Sequence, residues 1–258
     1  MKRELEPYQL IERSIIKKYR KELWTPFIVA VKRYELIQAN DKIAVCISGG
    51  KDSMLMAKLM QELQRHTSQP FELVFMVMDP GYKPENRKLI EDNAALLGIP
   101  ITIFDSDIFN VTVSVEKNPC YLCARMRRGF LYAKAQELGC NKIALGHHYD
   151  DAVETLLMNL LFEGRLGCFQ PVTYLDRTGI TQIRPLLYCQ EADIRRMAAK
   201  LCLPVVKNTC PMDGHSRRQE VKELIASLEE RYPDLKKKLF GAVQRYPLYG
   251  WDLTKEER

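Results

Sequence analysis

The fold is decided by residues 42–59, which read KIAVCISGGKDSMLMAKL. The first part, up to Ile47, is a short apolar run typical of a strand that is buried on both faces of a sheet. A glycine pair follows, and from Met54 onward the apolar pattern is that of a helix. The stretch therefore predicts a strand, a tight turn and a helix, which together begin a β-α-β unit.

The same alternation of strand and helix patterns continues along the chain. Further strands are predicted at 71–78, 100–104, 142–145 and 204–206, and further helices at 84–97, 121–138, 150–162 and 191–201. We therefore expect an α/β fold, a doubly wound parallel sheet of about five strands with helices on both faces. Purely helical patterns flank it, so the predicted organisation is an N-terminal helical extension (1–40), a central domain (41–215) and a C-terminal helical extension (216–258).

The composition is that of an ordinary globular protein, with 46% hydrophobic and 28% charged residues among 258. No apolar run is long enough to cross a bilayer and the N-terminus lacks a secretory pattern, so we expect a cytoplasmic protein without a membrane partner. Residues 1–33 hold nine Lys/Arg against four Asp/Glu, and residues 195–245 hold twelve against six. Such basic flanks suit RNA, although solvated helix faces give the same pattern.

The hexapeptide Ser48-Gly49-Gly50-Lys51-Asp52-Ser53 lies between the first strand and its helix. An open α/β sheet binds ligands at this position, and paired glycines let the backbone approach a phosphate closely. The helix N-terminus offers unpaired N–H groups, the two serines offer hydroxyls and the lysine offers a positive charge. The loop is neither a Walker A motif nor the dinucleotide fingerprint, because the glycines that those motifs need are missing.

A second polar motif, Gly146-His147-His148-Tyr149-Asp150-Asp151, follows the fourth predicted strand. It should reach the same edge of the sheet as the hexapeptide, because the strands are parallel. The two aspartates either cap the following helix or add carboxylates to a magnesium site beside phosphates.

The cysteines fall into two groups. Cys120 and Cys123 form a CxxC pair at a predicted helix N-terminus, which suits a redox dithiol, half of a zinc site or two ligands of an iron–sulfur cluster. Cys210 lies in a polar loop, which is unusual for a core cysteine, and this favours the cluster. The others are Cys46, Cys140, Cys189 and Cys202, expected to be small buried hydrophobic residues, and Cys168, whose role is undecided.

The hexapeptide resembles the pyrophosphatase loop of the PP-loop ATPases, the N-type ATP pyrophosphatases. Those enzymes hold the triphosphate of ATP in this loop, transfer AMP to a substrate oxygen and release pyrophosphate. Residues 120–129, 142–148 and 183–186, together with Cys210 and Arg218-Gln219, are similar to the tRNA 2-thiocytidine biosynthesis family. This resemblance spans roughly residues 8–245.

The resemblance implies three ligand sets. ATP is held by the hexapeptide with Gly146, His147 and Asp151, Mg²⁺ by Asp52 and Asp151, and a [4Fe–4S] cluster by Cys120, Cys123 and Cys210. One iron of the cluster has no protein ligand, and the three cysteines and Asp52 are the catalytic residues. The candidates for binding RNA phosphates are Arg125, Arg127, Arg128, Arg217 and Arg218.

The implied activity is an ATP- and cluster-dependent tRNA sulfurtransferase. It adenylates the 2-oxygen of a pyrimidine, a cytidine in the anticodon loop, and replaces it with sulfur, forming AMP and pyrophosphate. The expected partners are tRNA and a sulfur donor, either a cysteine-desulfurase-type protein or inorganic sulfide, and the sequence allows a homodimer.

Three alternatives stay open. A PP-loop sulfurtransferase that acts on a uridine or a small molecule fits the same residues. An adenylating amine ligase of the lysidine-synthetase type leaves the three cysteines unexplained. The intact hexapeptide and Asp150-Asp151 argue against an RNA-binding or redox-sensing protein with a degenerate nucleotide site.

Overall fold

The computed structural model describes residues 5–113, 119–206 and 217–245. Within these residues a single sheet has the strand order β3-β2-β1-β4-β6-β5. All neighbouring strands are parallel except the antiparallel pair β5–β6. The strands are β1 (Lys42–Ile47), β2 (Glu72–Asp79), β3 (Ile101–Asp105), β4 (Lys142–Ala144), β5 (Val172–Leu175) and β6 (Ile180–Ile183).

Helices lie on both faces of this sheet, and the α/β fold class is confirmed. The helices are α1 (Pro7–Arg13), α2 (Thr25–Arg33), α3 (Lys51–His66), α4 (Pro84–Leu97), α5 (Ile108–Val113), α6 (Pro119–Glu137), α7 (Tyr149–Glu163), α8 (Glu191–Lys200), α9 (Arg217–Arg231) and α10 (Leu235–Arg245). Two π-helical segments, Ser14–Lys18 and Arg20–Trp24, join α1 to α2. Among the described helices, none has the length and apolar character needed to cross a bilayer.

The chain divides into two compact units. One comprises Met1–Tyr149 and Gln170–Gly214, and the other comprises Asp150–Phe169 and His215–Arg258. The sheet belongs entirely to the first unit, whereas α9, α10 and all of α7 except its first residue belong to the second. The predicted division of the chain at residues 40 and 215 stays a prediction.

Side chains from both faces of strand β1 pack into the hydrophobic core of the first unit. Ile43, Val45 and Ile47 pack into the larger apolar cluster, which α3, α4, α8 and the N-terminal helices share. Ala44 packs on the opposite face with Ala135 of α6. Alternation of side chains along a strand explains why consecutive residues serve two different layers.

The last predicted strand is wrong. Residues 204–206 form no strand, and Val206 donates its N–H to the Gly49 carbonyl oxygen (3.0 Å) beyond the end of β1. Pro204 has no N–H to donate to a neighbouring strand, so only two of the three apolar residues could form a full set of strand hydrogen bonds. The sheet is completed instead by the β5–β6 hairpin, which the sequence did not predict, and whose turn places Gly179 at φ +66°.

The N-terminal segment is helical, as predicted, but its helix is wider than an α-helix over residues 14–24. The N–H of Tyr19 bonds to the carbonyl oxygen five residues back, on Ser14 (3.0 Å), which is the π-helical pattern. Every fourth residue from 11 to 27 is buried in the main core, and this row is Ile11, Ile15, Tyr19, Leu23 and Phe27.

A buried lysine ties this segment to the sheet helices. Lys58 of α3 is fully buried and pairs with Glu12 of the N-terminal segment (2.5 Å). It also donates to the Leu97 carbonyl oxygen at the end of α4 (2.6 Å). Burial lowers the pKa of Lys58, whereas the Glu12 carboxylate raises it in part. The ion pair therefore fixes α1 against α3 and α4.

Candidate active site

The loop between β1 and α3 has a shape that requires glycine at one position. Gly49 has φ +81°, and a Cβ built there lies 2.6 Å from Cγ1 of Ile90 and 3.0 Å from Cγ2 of Val206. Both the backbone conformation and the space therefore exclude a side chain. Gly50 has an extended conformation with φ −76° and caps α3. The loop thus exposes backbone at the N-terminus of α3, where phosphates bind.

The two serines close this loop on itself. The backbone N–H and the hydroxyl of Ser48 both donate to Oγ of Ser53, at 3.1 and 3.2 Å. Ser53 donates its own hydroxyl to the Gly50 carbonyl oxygen (3.0 Å). The bonds hold the hexapeptide in a fixed curve around the first turn of α3, whose N–H groups have no intrahelical acceptors.

Lys51 is held between two carboxylates. Its Nζ lies 3.0 Å from Oδ2 of Asp52 and 2.9 Å from Oε1 of Glu191, the first residue of α8. Burial lowers the pKa of Lys51, but the two carboxylates outweigh this and raise it above its ordinary value. The lysine is therefore a fixed positive charge beside the loop. The sequence analysis missed Glu191, which is 140 residues away along the chain.

Asp52 presents a carboxylate oxygen that suits a cation. Its Oδ1 is buried and accepts no hydrogen bond, while Nε2 of the buried His148 lies 3.8 Å away. A buried acceptor without a donor costs free energy unless a ligand satisfies it. The residues therefore fit a magnesium ion bound together with phosphates, since carboxylate oxygens are its usual protein ligands.

A cleft of about 290 Å³ opens beside the loop. Its walls come from the ends of β1, β2 and β4 and from α6. The end of β4 lies close to the first turn of α3 at Gly146, where a Cβ would be 3.4 Å from the backbone of Ser53. The lining residues are Cys46, Ile47, Ser48, Asp52, Ser53, Met78, Arg127, Leu131, Leu145, Gly146 and His147.

Arg127, in the third turn of α6, lines this cleft and is half-buried. Sequence reasoning grouped it with Arg125 and Arg128 as a candidate for RNA phosphates, but those two are exposed. Helical spacing explains the difference, since neighbouring residues of a helix point about 100° apart. Among the described residues that line the cleft, Arg127 therefore contributes a guanidinium group.

Of the three cysteines predicted to hold the cluster, only Cys123 has a side chain among the described residues. Cys123 is half-buried in α6, and Cys120 belongs to the same helix, but its side chain lies outside the described part. Burial raises the pKa of Tyr82, Arg127 lowers it in part and Cys123 adds to the rise, so these three side chains share one neighbourhood. Cys210 lies outside the described residues, four positions beyond Val206.

The remaining cysteines mostly behave as core residues. Cys140 and Cys189 are buried as expected, and burial raises the pKa of Cys189 to about 12. Cys46 lines the cleft, and burial raises the pKa of its thiol. Cys168 donates to the Ala152 carbonyl oxygen (3.4 Å), which is a structural role. The expectation for Cys202 is wrong, since it is exposed in a left-handed conformation (φ +49°) after α8.

In the second unit, cations from α9 and α10 pair with the acidic residues that begin α7. Lys236 lies 3.1 Å from Oδ1 of Asp150, and Arg218 lies 2.9 Å from Oδ1 of Asp151. Arg217 stacks over the ring of Phe162, at 4.9 Å from its centroid. A predicted RNA-binding arginine is thus paired with a predicted magnesium ligand, and Asp151 would have to exchange Arg218 for a metal ion.

Comparison with known proteins identifies relatives over most of the chain. The family model of the PP-loop domain matches residues 27–228. The tRNA-cytidine(32) 2-sulfurtransferase of Dechloromonas aromatica is 36% identical over 238 residues, which cover 90% of this chain and 82% of that protein. The tRNA-cytidine(32) 2-sulfurtransferase of Chromohalobacter salexigens is 39% identical over 223 residues, covering 83% and 77%.

A solved structure has the same fold. The U34-tRNA thiolase NcsA from Methanococcus maripaludis, determined with its [4Fe-4S] cluster, superposes with a TM-score of 0.69 at 25% sequence identity. The match covers 86% of this chain and 77% of that one. The likeness therefore extends far beyond the hexapeptide, over most of the chain.

Proposed function

Because this chain belongs to the PP-loop family that contains the tRNA-cytidine(32) 2-sulfurtransferases, we propose that it uses ATP to replace the 2-oxygen of a tRNA cytidine with sulfur. One structural observation supports this most strongly. The hexapeptide forms a glycine-dependent phosphate loop, and the donor-free oxygen of Asp52 lies in the same cleft as Arg127. That combination suits a nucleoside triphosphate with its metal ion.

ATP is proposed to bind with its phosphates on the N-terminal turn of α3. The backbone around Gly49 and Gly50 and the hydroxyl of Ser48 are proposed to contact phosphate oxygens. Lys51 supplies positive charge within the loop, and Arg127 supplies it from the α6 wall of the cleft. Asp52 is proposed to hold magnesium through Oδ1, and the contribution of Asp151 remains a proposal, because that residue is paired with Arg218.

The proposed reaction turns a poor leaving group into a good one. The cytidine 2-oxygen displaces pyrophosphate from the α-phosphorus of ATP, and sulfide then displaces AMP from the base carbon. Arg127 in the cleft and Lys51 in the loop are proposed to stabilise the negative charge that develops on the phosphates during the first displacement. The apolar lining residues of the cleft, among them Ile47, Leu131 and Leu145, are proposed to limit the water that would otherwise compete with the 2-oxygen.

Cys120, Cys123 and Cys210 are proposed to hold the [4Fe–4S] cluster. With three thiolate ligands, such a cluster would supply an iron with an open coordination site, the chemistry that holds sulfide deprotonated at neutral pH. Cys123 is half-buried near Arg127, and the segment that leads to Cys210 is bonded at Val206 to the phosphate loop. A helix N-terminus and a nearby guanidinium favour thiolates, so the described surroundings fit this donor set.

The proposed partners follow from this chemistry. The chain acts on tRNA, and the sulfur comes from a cysteine-desulfurase-type protein or from inorganic sulfide. We place the reaction in the cytoplasm, where thiols stay reduced. Homodimer formation stays a prediction, which sedimentation of the anaerobic protein would test.

Cleavage of ATP tests the nucleotide half of the proposal. AMP and pyrophosphate should form only when tRNA is present, and Asp52→Asn should abolish their formation. Asp92→Asn is the matched control, since Asp92 is an exposed carboxylate that pairs with Lys88 (3.0 Å). Release of ADP and phosphate, or equal activity in both variants, would contradict the proposed reaction.

Iron analysis tests the cluster half. Protein purified without oxygen should contain about four irons per chain, and Cys120→Ala, Cys123→Ala and Cys210→Ala should each lose them. Cys202→Ala is the control, because this thiol is exposed and lies outside the proposed set. An iron-free wild-type protein that still thiolates tRNA would overturn the cluster and leave the ATP chemistry intact.

A further inference from the structure

The N-terminal helical segment carries a row of exposed cations on its outer face. Arg13, Lys17 and Lys21 are exposed and four residues apart, and the exposed Lys18 and Arg20 flank them. We call these five residues the basic ridge. No acidic residue occurs between positions 13 and 21. The ridge is therefore a local concentration of one sign of charge.

The π-helical turns keep the ridge straight and fixed. The buried row of this segment also repeats every four residues, and Ile15, Tyr19 and Leu23 anchor it in the core. In an α-helix of 3.6 residues per turn, a four-residue repeat drifts by about 40° at each step. The wider turns of Ser14–Lys18 and Arg20–Trp24 offset this drift. Arg13, Lys17 and Lys21 each lie two positions after a residue of the buried row. They therefore stay on the side of the segment that faces solvent, opposite the buried row.

No described carboxylate neutralises the ridge. None of its five cations forms an ion pair within the described part of the chain, and the neighbouring Glu12 points inward to Lys58 and Arg65. Exposed cations elsewhere are often compensated, as Lys88 is by Asp92 (3.0 Å) and Arg196 by Asp193 (2.7 Å). An uncompensated row of this kind attracts an extended polyanion.

The ridge segment also contacts the stretch of chain that holds Lys51 of the phosphate loop. The thiol of Cys189 donates to the carbonyl oxygen of Leu23 in the second π-helical turn (3.6 Å). Two residues after Cys189, Glu191 holds Lys51 of the hexapeptide (2.9 Å). The segment that carries the cations is therefore connected to the hexapeptide through the contacts of residues 189 and 191.

We propose that the basic ridge binds the sugar–phosphate backbone of the tRNA substrate while the base is in the cleft. This inference rests on the proposed function. A membrane surface is a poorer partner, because the apolar side of the segment, which includes Ile15 and Leu23, is buried in the core and unable to insert into lipid. Phosphate contacts position RNA without reading its sequence, so the ridge contributes affinity and register rather than base choice.

The test compares two triple variants of the full chain with equal loss of charge. Arg13→Gln/Lys17→Gln/Lys21→Gln removes the ridge, and the control Lys88→Gln/Arg165→Gln/Arg196→Gln removes three exposed cations that have carboxylate neighbours. Binding of unmodified tRNA is measured between about 50 and 200 mM salt. The ridge variant should bind about tenfold or more weakly, and its salt slope should fall by about 2 to 3. Its KM for tRNA should rise at unchanged kcat.

The outcomes separate the ridge from the enzyme activity. A charge-preserving variant, Arg13→Lys/Lys17→Arg/Lys21→Arg, should keep wild-type affinity. Equal affinity and salt slope in the ridge variant and the control would overturn the ridge, while thiolation by both would leave the proposed function standing. Wild-type protein that neither binds nor thiolates tRNA would refute both. If the ridge variant lost binding to anionic vesicles but kept wild-type affinity for tRNA, the ridge would be a membrane-binding surface and the inference would be overturned.

Discussion

Substitution of Gly49 by alanine should damage both the fold and ATP binding. A left-handed conformation at φ +81° costs a residue with a Cβ about 1–2 kcal/mol. The new Cβ would also lie 2.6 Å from the β-branched and buried Ile90, and such overpacking costs about 1–3 kcal/mol. The two effects sum to a loss of about 2–5 kcal/mol in the free energy of unfolding.

Urea unfolding and calorimetric titration with ATP measure the two effects separately. Gly50→Ala is the matched control in the same loop, because its φ is −76° and the nearest atom to its Cβ is Oγ of Ser48 at 3.6 Å. We expect this control to lose about 1 kcal/mol or less, as a poorer helix cap. If Gly49→Ala and Gly50→Ala unfold at the same urea concentration and bind ATP equally, the close contact between the loop and α4 does not require glycine at position 49.

Three further changes test other parts of the structure. Lys58→Met should lower the free energy of unfolding by about 3 kcal/mol, because it breaks a buried ion pair, and an unchanged urea midpoint would contradict that role. Arg127→Met should raise the KM for ATP in pyrophosphate release by about 10- to 100-fold, as expected for a lost bond to a charged group. The same substitution at the exposed Arg128 should leave the KM for ATP unchanged. Equal KM values in the two variants would show that Arg127 does not contact ATP. Iodoacetamide at pH 8 should label Cys202 rapidly and leave Cys189 unlabelled, since burial raises the pKa of Cys189 to about 12. Mass spectrometry of the peptides measures both rates, and faster labelling of Cys189 than of Cys202 would contradict the burial described for Cys189.

The parts of the fold that depend on local chemistry were predictable from the sequence. The strand, glycine loop and helix of residues 42–59 follow from hydrophobic period and turn chemistry. The same holds for the helix that ends at Gly98, which has the left-handed conformation of a helix cap. These features involve residues only a few positions apart, so their patterns are visible in one dimension.

Features that depend on distant partners were not predictable. The β5–β6 hairpin consists of two strands of only four residues each, which are too short for a hydrophobic period to be recognised, and β6 is placed in the sheet by its pairing with the distant β4. The π-helical turns preserve a four-residue repeat that a sequence pattern does not distinguish from an α-helix. The pairing of Lys51 with Glu191 and that of Asp151 with Arg218 join elements 140 and 67 residues apart. Only the folded chain shows which charges meet.

Formation of 2-thiocytidine is the measurement that tests the central claim most directly. Anaerobic protein, ATP, sulfide and tRNA that lacks the modification would be incubated, and the tRNA digested to nucleosides for mass spectrometry. We expect 2-thiocytidine in the wild-type reaction and none with Asp52→Asn or Cys123→Ala. A thiolated uridine would move the target to another base, and unmodified tRNA after ATP has been converted to AMP and pyrophosphate would contradict sulfur transfer by this chain.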